Sequence, residues 1–163
     1  MKAERRLQGE HLGGIPTVEL LDARSASLDG DGLRDWARAR AAACGGVHVA
    51  RSYRYPLALV GWHTEPIGVD VERLEPYDEG FAESICTPSE RSLARPGSAE
   101  ELASLWCSKE ALAKALGDAR RYDPRRLESP ARWPDGEAGP WRARALEAPD
   151  GYVAWVCWRA HAA

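Results

Sequence analysis

Short runs of apolar residues, separated by turn residues, dominate the first half of the chain. Their spacing predicts β-strands at residues 18–21, 47–52, 57–62 and 67–72. Segment 53–56 contains a proline, and segment 63–66 reads His-Thr-Glu-Pro, so both indicate turns between neighbouring strands. The pattern therefore predicts three consecutive strands joined by short connections, of which the third ends on acidic residues.

Helix signals lie before and after these strands. Asp29 or Asp31 can cap a helix that is rich in Ala and Arg and runs to Ala43, before the Gly45-Gly46 pair that stops it. Thr87-Pro88-Ser89-Glu90 and Ser98-Ala99-Glu100-Glu101 each place a capping residue ahead of an acidic residue, which predicts two further helix starts.

The second of these helices is predicted to end at Gly117. Its apolar residues recur at helical spacing, and the predicted buried stripe consists of Leu102, Leu105, Trp106, Leu112, Ala113 and Leu116. Residues 118–140 are rich in loop signals, and strands at 141–147 and 152–158 are predicted to form a hairpin around 148–151.

Composition is that of a globular domain. The 163 residues are 44% hydrophobic and 29% charged, with a net charge of −3, so nothing in the overall charge favours nucleic-acid binding. Four widely spaced cysteines form no C-x-x-C pair, which indicates reduced thiols in a cytoplasmic protein rather than a zinc or dithiol site. The sequence beginning Met1-Lys2-Ala3 leads into no apolar leader segment, and no run is long enough to span a membrane.

Two acidic motifs carry the candidate chemistry. Asp70 and Glu72 lie two positions apart on a predicted strand, so their side chains share one face. Glu110 stands between Lys109 and Lys114 on the predicted helix, in a chain with only three lysines among its 22 basic residues. Three carboxylates can hold a hard divalent cation, and two ammonium groups can hold a polyphosphate beside it.

Each motif also has a simpler interpretation when it is taken alone. Asp70 and Glu72 fit a solvent-facing polar row at the end of a buried strand. Glu110 and Lys114 fit an ordinary ion pair one helical turn apart, which would contribute about 0.3–0.5 kcal/mol.

Both motifs together resemble those of the 4′-phosphopantetheinyl transferases. That family has a G-[IV]-D-[IV]-E strand followed by a W-x-x-K-E-[AS]-x-x-K helix, and residues 68–72 and 106–114 match every defined position. Pro66-Ile67 and Trp106 look more like the larger, surfactin-synthetase-activating type than the small trimeric holo-acyl-carrier-protein synthases. Residues 86–90 resemble the family's F-[ST]-x-x-E helix start, with Cys86 in the place of the Phe.

The resemblance implies specific roles. Asp70, Glu72 and Glu110 would bind Mg²⁺ at the pyrophosphate of coenzyme A, while Lys109 and Lys114 would neutralise the phosphates. A serine of an acyl- or peptidyl-carrier protein would attack the β-phosphoryl group, with Glu110 as the candidate base. Phosphoryl transfer relies on positioning and charge neutralisation, which such a site can supply.

The chain departs from the family pattern upstream of Asp70. Where the family has a [SN]-x-S-H-[ST] segment, whose His lies near a coenzyme A phosphate, this chain has Arg51-Ser52-Tyr53-Arg54. Arg51 or Arg54 would take over phosphate contact as a permanent cation, with Tyr53 at the position reached by counting back from Asp70. The family's lysine-proline segment has no counterpart near Cys44.

We expect an α+β fold of the 4′-phosphopantetheinyl transferase type. A mostly antiparallel sheet packs on the 98–117 helix in a C-terminal metal- and phosphate-binding lobe, residues 67–163, beside a reduced N-terminal lobe, residues 1–66. The larger family type is a pseudo-dimer of two similar halves, and the short N-terminal half indicates either a compact pseudo-dimer or a second chain that completes the cleft. The acidic cluster is expected at the junction of the lobes.

Three functions remain open from the sequence. The first is a magnesium-dependent transferase acting with coenzyme A and a carrier protein, as a monomer or dimer without nucleic-acid or membrane partners. The second is a descendant with other chemistry on a carrier-bound or small-molecule intermediate, as fold does not fix function. Its pocket candidates are Trp36, Tyr53, Tyr55 and Trp62. The third is a non-catalytic partner that binds carrier proteins.

Overall fold

A computed structural model of the chain describes residues 4–7, 14–93 and 98–161, so the beginning Met1-Lys2-Ala3 lies outside the described residues. The N-terminal half forms one antiparallel sheet with the strand order β1-β2-β4-β3. Its strands are β1 (Glu4–Leu7), β2 (Thr17–Asp22), β3 (His48–Arg54) and β4 (Leu57–His63). The predicted strands at 18–21, 47–52 and 57–62 are confirmed, whereas the sequence pattern gave no sign of β1.

Helix α1 (Gly30–Ala43) covers one face of this sheet. It begins as predicted at Asp29, whose carboxylate accepts a 2.8 Å hydrogen bond from the Gly32 N–H. It ends at Cys44, which is extended, so the helix stops just before Gly45 and Gly46. On its inner side Leu33 and Ala37 pack with apolar residues of β2 and β4, namely Leu21, Ala58 and Val60.

The C-terminal half forms a second antiparallel sheet, with the strand order β5-β8-β7-β6. Its strands are β5 (Ile67–Arg73), β6 (Glu137–Ala138), β7 (Trp141–Leu146) and β8 (Tyr152–Arg159). The predicted hairpin is β7 and β8, and Gly151 in its turn has a φ of 85°, which favours glycine.

Three α-helices lie between β5 and β6 in the described part of the chain. They are α2 (Glu79–Ile85), α3 (Pro88–Leu93) and α4 (Ala99–Leu116). The predicted capping box is present at α3, since the Thr87 N–H donates to Glu90 at 2.8 Å and the Glu90 N–H donates to Thr87 Oγ1 at 3.3 Å. Helix α4 begins after Ser98 and ends at Gly117, which has a φ of 82°, as predicted. Helix α2 was not predicted.

The two sheets pack face to face, and the helices α1 and α4 lie on their outer faces. The main core combines residues of both sheets, including Leu57 and Leu59 of β4 and Val69 and Val71 of β5. On the outer face of the second sheet, Ala111, Leu112 and Ala115 of α4 pack with Ala143 and Cys157. The resulting arrangement of helices and antiparallel sheets is an α+β fold.

Helix α4 buries more residues than its predicted stripe. Leu102, Leu105, Leu112 and Ala113 are buried as predicted, but Leu116 is 42% exposed and Trp106 is only half-buried. Ser108 and Lys109 lie on the side of the helix that carries Leu105 and Leu112, and they are also fully buried because α2, α3 and the loop after α4 cover them. No helix among the described residues has the length and apolar character needed to cross a membrane.

The two halves share a strand order. In the first half β2, α1 and the β3–β4 hairpin give the order β2-β4-β3, and in the second half β5, α4 and the β7–β8 hairpin give the order β5-β8-β7. The sheets divide between His63 and Ile67, next to the predicted boundary at residue 66. The division into two lobes remains a prediction.

Candidate active site

The acidic pair lies on the face of β5 that meets α4. Asp70 is 4% exposed and Glu72 is 7% exposed. Gly68, two residues earlier on the same face, lies so close to α4 that an added Cβ would be 1.9 Å from the Ala111 carbonyl oxygen. The interpretation of the pair as a solvent-facing polar row is therefore wrong, because the neighbouring helix and strand cover both carboxylates.

β5 is an edge strand of its sheet, and its free edge lies beside β3, the edge strand of the other sheet. The Ser52 hydroxyl donates to Asp70 Oδ1 at 2.9 Å and accepts a 3.3 Å hydrogen bond from the Val71 N–H. Lys114 of α4 donates to the same Asp70 oxygen at 2.8 Å and to the Val69 carbonyl oxygen at 3.0 Å. The free edge of β5 is thus bonded to side chains from both halves of the chain.

Asp70 has one satisfied oxygen and one bare one. Its Oδ1 receives the hydrogen bonds from Ser52 and Lys114, while its Oδ2 is buried without a hydrogen-bond partner among the described residues. A buried carboxylate oxygen without a donor costs free energy, and such a group in a native structure indicates a ligand, an ion or a water.

Glu72 is held at both of its oxygens. Trp106 Nε1 of α4 donates to Oε1 at 3.1 Å, and the Arg54 guanidinium of β3 donates to Oε2. Burial and the nearby negative charge of Asp70 raise the pKa of Glu72 to about 7, against the opposing effect of Arg54. Asp70 and Glu72 are therefore close enough to repel each other.

Glu110 lies on α4 and is half-buried. The Tyr122 hydroxyl, in the loop that follows α4, donates to Glu110 Oε1. Burial raises the pKa of Glu110, the Tyr122 hydrogen bond opposes this rise, and the negative charge of Asp70 adds to it. The direct partners of Glu110 and Lys114 are Tyr122 and Asp70 rather than each other, although the charge of Lys114 opposes the rise in the pKa of Glu110.

Lys109 lies apart from this group and is fully buried. Its ammonium donates to Glu90 at 2.6 Å, to the Pro124 carbonyl oxygen at 2.9 Å and to the Ile85 carbonyl oxygen. Glu90 also accepts hydrogen bonds from the Thr87 and Ser129 N–H groups. The three hydrogens of Lys109 are thus used within the protein, where they tie α4 to α2, α3 and the following loop.

A basic pocket with a volume of about 470 Å³ opens beside Lys114. Its cationic lining residues are Arg51, Lys114, Arg120 and Arg121, and its apolar lining includes Val49 and Ile67. Arg51 comes from β3, whereas Arg120 and Arg121 follow α4, so both halves of the chain contribute positive charge to it. An anionic ligand with an apolar portion fits this lining.

A family model of the 4′-phosphopantetheinyl transferase superfamily matches residues 66–158, more than half of the chain. The chain belongs to this superfamily. The matched segment begins just before β5 and ends on β8, so it contains Asp70, Glu72, Glu110 and Lys114. A search of curated proteins found no match. Membership supports a transferase whose general chemistry is the transfer of phosphopantetheine.

The structure brings only part of the predicted superfamily site together. Hydrogen bonds join Lys114 to Asp70 and Arg54 to Glu72, and Arg51 lines a pocket with Lys114. Tyr53 lies on the face of β3 opposite to Ser52 and Arg54, packed towards α1, with the Arg34 guanidinium 5.8 Å from its ring centre.

Sequence reasoning missed three polar partners of the carboxylates. Ser52 was identifiable because it precedes Arg54 by two positions, so both side chains share one face of β3. Trp106 belongs to the helix motif, but its indole N–H had no predicted acceptor. Tyr122 follows the helix in a loop, and no local pattern pointed to it.

The aromatic residues named for a divergent function separate into two groups. Trp36 and Trp62 pack against the core under α1. Tyr53 and Tyr55 line a small pocket of about 200 Å³ with Arg34 and Arg54. The larger basic pocket beside Lys114 is lined by other residues.

The acidic residues fit a divalent cation in their chemistry. Asp70 offers a bare buried oxygen, and the repulsion between Asp70 and Glu72 would be relieved by a positive ion. Within the described part of the chain, however, no three His, Cys, Asp or Glu side chains are grouped as a metal site. Arg54 and Tyr122 hold Glu72 and Glu110, respectively, in their present positions.

Proposed function

We propose that this protein transfers the 4′-phosphopantetheine arm of coenzyme A to a serine of an acyl- or peptidyl-carrier protein, in a magnesium-dependent reaction. The observation that carries the proposal is Oδ2 of Asp70, which is buried and has no hydrogen-bond partner among the described residues. The other oxygen of the same carboxylate accepts a hydrogen bond from Lys114, which lines the basic pocket. Family membership supplies the general reaction, and this geometry supports the same side chains for the site.

Asp70, Glu72 and Glu110 would hold Mg²⁺, with water completing an oxygen shell. When bound, the ion would offset negative charge on the pyrophosphate of coenzyme A. Lys114 already donates to Asp70 and lines the pocket, so its ammonium lies where it can neutralise a phosphate oxygen as well.

Glu110 is the proposed general base. Tyr122 orients it through Oε1, which leaves its second oxygen to accept the proton of the carrier serine hydroxyl. The serine oxygen then forms a bond to the β-phosphorus, the bond from that phosphorus to the leaving 3′,5′-adenosine bisphosphate breaks, and the proton stays on Glu110. The raised pKa of Glu110 brings the group closer to the neutral range in which a base is effective.

The basic residues divide between binding and support. Arg51, with Arg120 and Arg121, would hold the phosphates of coenzyme A in the basic pocket. Arg54 and Tyr53 remain proposed contacts, although Arg54 is bound to Glu72 and Tyr53 faces α1. Lys109 would contact a phosphate only if it left its buried partners, so we propose that it instead fixes α4, and with it Glu110.

The finer assignments rest on the same features. The shared strand order of the two halves supports a pseudo-dimer related to the surfactin-synthetase-activating type, with the site at the junction of the halves. The basic lining of the pocket suits an acidic carrier surface beside it. The four free cysteines support the proposed cytoplasmic location.

A second function, that of a descendant with different chemistry, is favoured by two observations. Arg54 and Lys114 already neutralise Glu72 and Asp70 from within the chain, and the family's upstream His is missing. In such a protein these cations would be permanent partners of the carboxylates, and a carrier-bound or small-molecule intermediate would replace coenzyme A.

Intact-mass analysis of an apo acyl-carrier protein, incubated with this protein, coenzyme A and Mg²⁺, distinguishes the two functions. The transferase predicts a mass gain of one phosphopantetheine arm, which Asp70→Ala and Glu110→Ala should abolish while their melting curves stay cooperative. Asp35→Ala is the matched control, because Asp35 is exposed and pairs only locally with Arg38. No mass gain with several carriers, and no thermal shift with coenzyme A, would sink the transferase proposal.

A further inference from the structure

Two side chains of β3 face two carboxylates of β5 in the same register. The Ser52 hydroxyl donates to Asp70, and two residues further along each strand the Arg54 guanidinium donates to Glu72. Side chains two positions apart on a strand share a face, so these two pairs form a short polar ladder across the junction of the sheets. This polar ladder links the acidic pair of the C-terminal half to the N-terminal half.

The Arg54–Glu72 pair is asymmetric in burial. The Arg54 side chain is 48% exposed, whereas the Glu72 side chain is 9% exposed. Trp106 also holds Glu72 through Oε1, at 3.1 Å. The carboxylate is therefore fixed from the protein side, while its cationic partner reaches it from the solvent side on a long, flexible side chain.

Arg54 also has room and a second acidic neighbour. A pocket of about 290 Å³ lies against Glu72 and is lined by Arg54, Glu75, Tyr77 and Trp106, among others. Glu75 is near enough to interact electrostatically with Arg54. The guanidinium can leave Glu72 for this pocket without losing all of its favourable charge interactions.

We propose that Arg54 is an internal counter-ion that competes with a divalent cation for Glu72. In this arrangement Arg54 neutralises Glu72 while the metal is absent, and metal binding at Asp70 and Glu72 displaces the guanidinium. The inference rests on the proposed magnesium-dependent function. Both oxygens of Glu72 already accept a hydrogen bond, one from Trp106 and one from Arg54, so a metal that binds this carboxylate would have to replace a donor, and Arg54 is the more exposed of the two.

Displacement has a consequence for phosphate binding. A guanidinium released beside a metal becomes available to a phosphate oxygen held at that metal, for which its forked donors are suited. Binding of the metal and binding of coenzyme A should then strengthen each other by the same factor, as linkage requires. In the metal-free protein, Arg54 is a positioning residue that holds the Glu72 carboxylate in place.

Titration with Mg²⁺ alone, followed by ¹H–¹⁵N NMR of the Trp106 indole N–H, tests the competition. The signal is assigned by its loss in Trp106→Phe, and it reports on Glu72 because the indole donates to that carboxylate. Arg54→Met keeps an unbranched apolar side chain similar to the stem of arginine and removes the charged guanidinium, so the variant should bind Mg²⁺ at least about fivefold more tightly than the wild type. Arg54→Lys, which keeps the charge, should give an affinity between the two.

Arg51→Met is the matched control. Arg51 lies on the same strand, lines the other pocket and carries the same charge, so this variant measures the general effect of removing one arginine near the site. Its Mg²⁺ affinity should stay within about twofold of the wild type, because general charge effects at this distance are screened. Well-dispersed spectra of all variants confirm that each is folded.

The outcomes separate the two proposals. Equal Mg²⁺ affinities of Arg54→Met and Arg51→Met, with binding lost in Asp70→Asn, would overturn the competition and leave the metal site intact. An indole signal that Mg²⁺ does not move in the wild type or in Arg54→Met would overturn both the competition and the magnesium-dependent function. Tighter binding in Arg54→Met alone supports the competition.

Discussion

Glu72 shows how burial sets the properties of single residues in this site. Its carboxylate is covered by α4, lies near the negative charge of Asp70 and has a pKa raised to about 7. In the unfolded chain the same group has an ordinary pKa of 4.5. At pH values between these two pKa values, the folded protein keeps a proton on Glu72 that the unfolded chain releases. A rise in pH across this range therefore lowers the free energy of unfolding.

We therefore expect Glu72→Gln to flatten the pH dependence of stability. From pH 5 to pH 8, the metal-free wild type should lose on the order of 1–3 kcal/mol more unfolding free energy than the variant, since one pKa unit corresponds to about 1.4 kcal/mol. Urea unfolding at several pH values measures this difference in unfolding free energy. Glu128→Gln, an exposed glutamate, is the control. Parallel curves for the wild type and Glu72→Gln would contradict the raised pKa.

The two lysines around Glu110 also differ at the scale of the residue. They are five positions apart, yet Lys109 is enclosed by Glu90 and carbonyl oxygens while Lys114 reaches Asp70 and a pocket. A buried ammonium that loses its partner costs far more than an exposed one, so Lys109 has a role in the architecture of the site. Of these two lysines, Lys114 is the one that lines the basic pocket.

At the scale of elements, the contact between β5 and α4 sets the distances within the site. β5 carries Asp70 and Glu72, α4 carries Glu110 and Lys114, and Gly68 lets the two backbones approach closely. An added Cβ at Gly68 would lie 1.9 Å from the Ala111 carbonyl oxygen and 2.6 Å from the Ala115 nitrogen. Both are backbone atoms of a helix, so the strain cannot be relieved by turning a side chain.

Gly68→Ala should therefore push α4 away from β5. We expect a loss of about 3 kcal/mol in unfolding free energy, as overpacking in a tight core produces, together with a large loss of transferase activity as Glu110 and Lys114 move from Asp70. Urea unfolding and the carrier mass assay measure the two effects. In Gly45→Ala nothing lies within 4 Å of the new Cβ, so both should stay near the wild-type values. Wild-type stability in Gly68→Ala would refute the close contact.

At the scale of the whole molecule, the basic pocket depends on how the two halves meet. β3 supplies Arg51, and the end of α4 with the following loop supplies Lys114, Arg120 and Arg121. The chain as a whole has a net charge of −3, so the positive field is local to this junction. The concentration of positive charge in this pocket is a property of the assembled molecule and of neither half alone.

We expect Arg51→Ala to weaken coenzyme A binding by roughly tenfold or more, because a hydrogen bond between charged groups contributes about 1.5–3 kcal/mol. Isothermal titration at 50 mM and 300 mM salt should also show a smaller salt dependence for the variant than for the wild type. Arg38→Ala is the control, since Arg38 is exposed and pairs with Asp35 on α1. Unchanged affinity and salt dependence in Arg51→Ala would remove Arg51 from the binding site.

Local sequence determined most of the elements. The strands β2 to β5, the hairpin of β7 and β8, the Asp29 and Ser98 caps and the Gly117 helix end all follow from side-chain periodicity and from hydrogen bonds within a few residues. The short elements β1, β6 and α2 were not predicted, because segments this short contain too few residues to show a clear periodicity. The acidic strand and the Lys-Glu helix were also recognisable locally, since the spacing within each motif is set by its own strand or helix.

The tertiary structure alone decided which partners these residues have. Ser52 and Arg54 of β3 contact Asp70 and Glu72 of β5, and Lys109 of α4 contacts Glu90 of α3. Packing between segments that are distant in the chain brings these elements together. Burial, which raises the pKa of Glu72 and leaves an Asp70 oxygen bare, depends in the same way on both sheets and α4. Periodicity specifies the face of a strand on which a side chain lies. Which residues that side chain contacts depends on how the edge strands β3 and β5 pack beside each other.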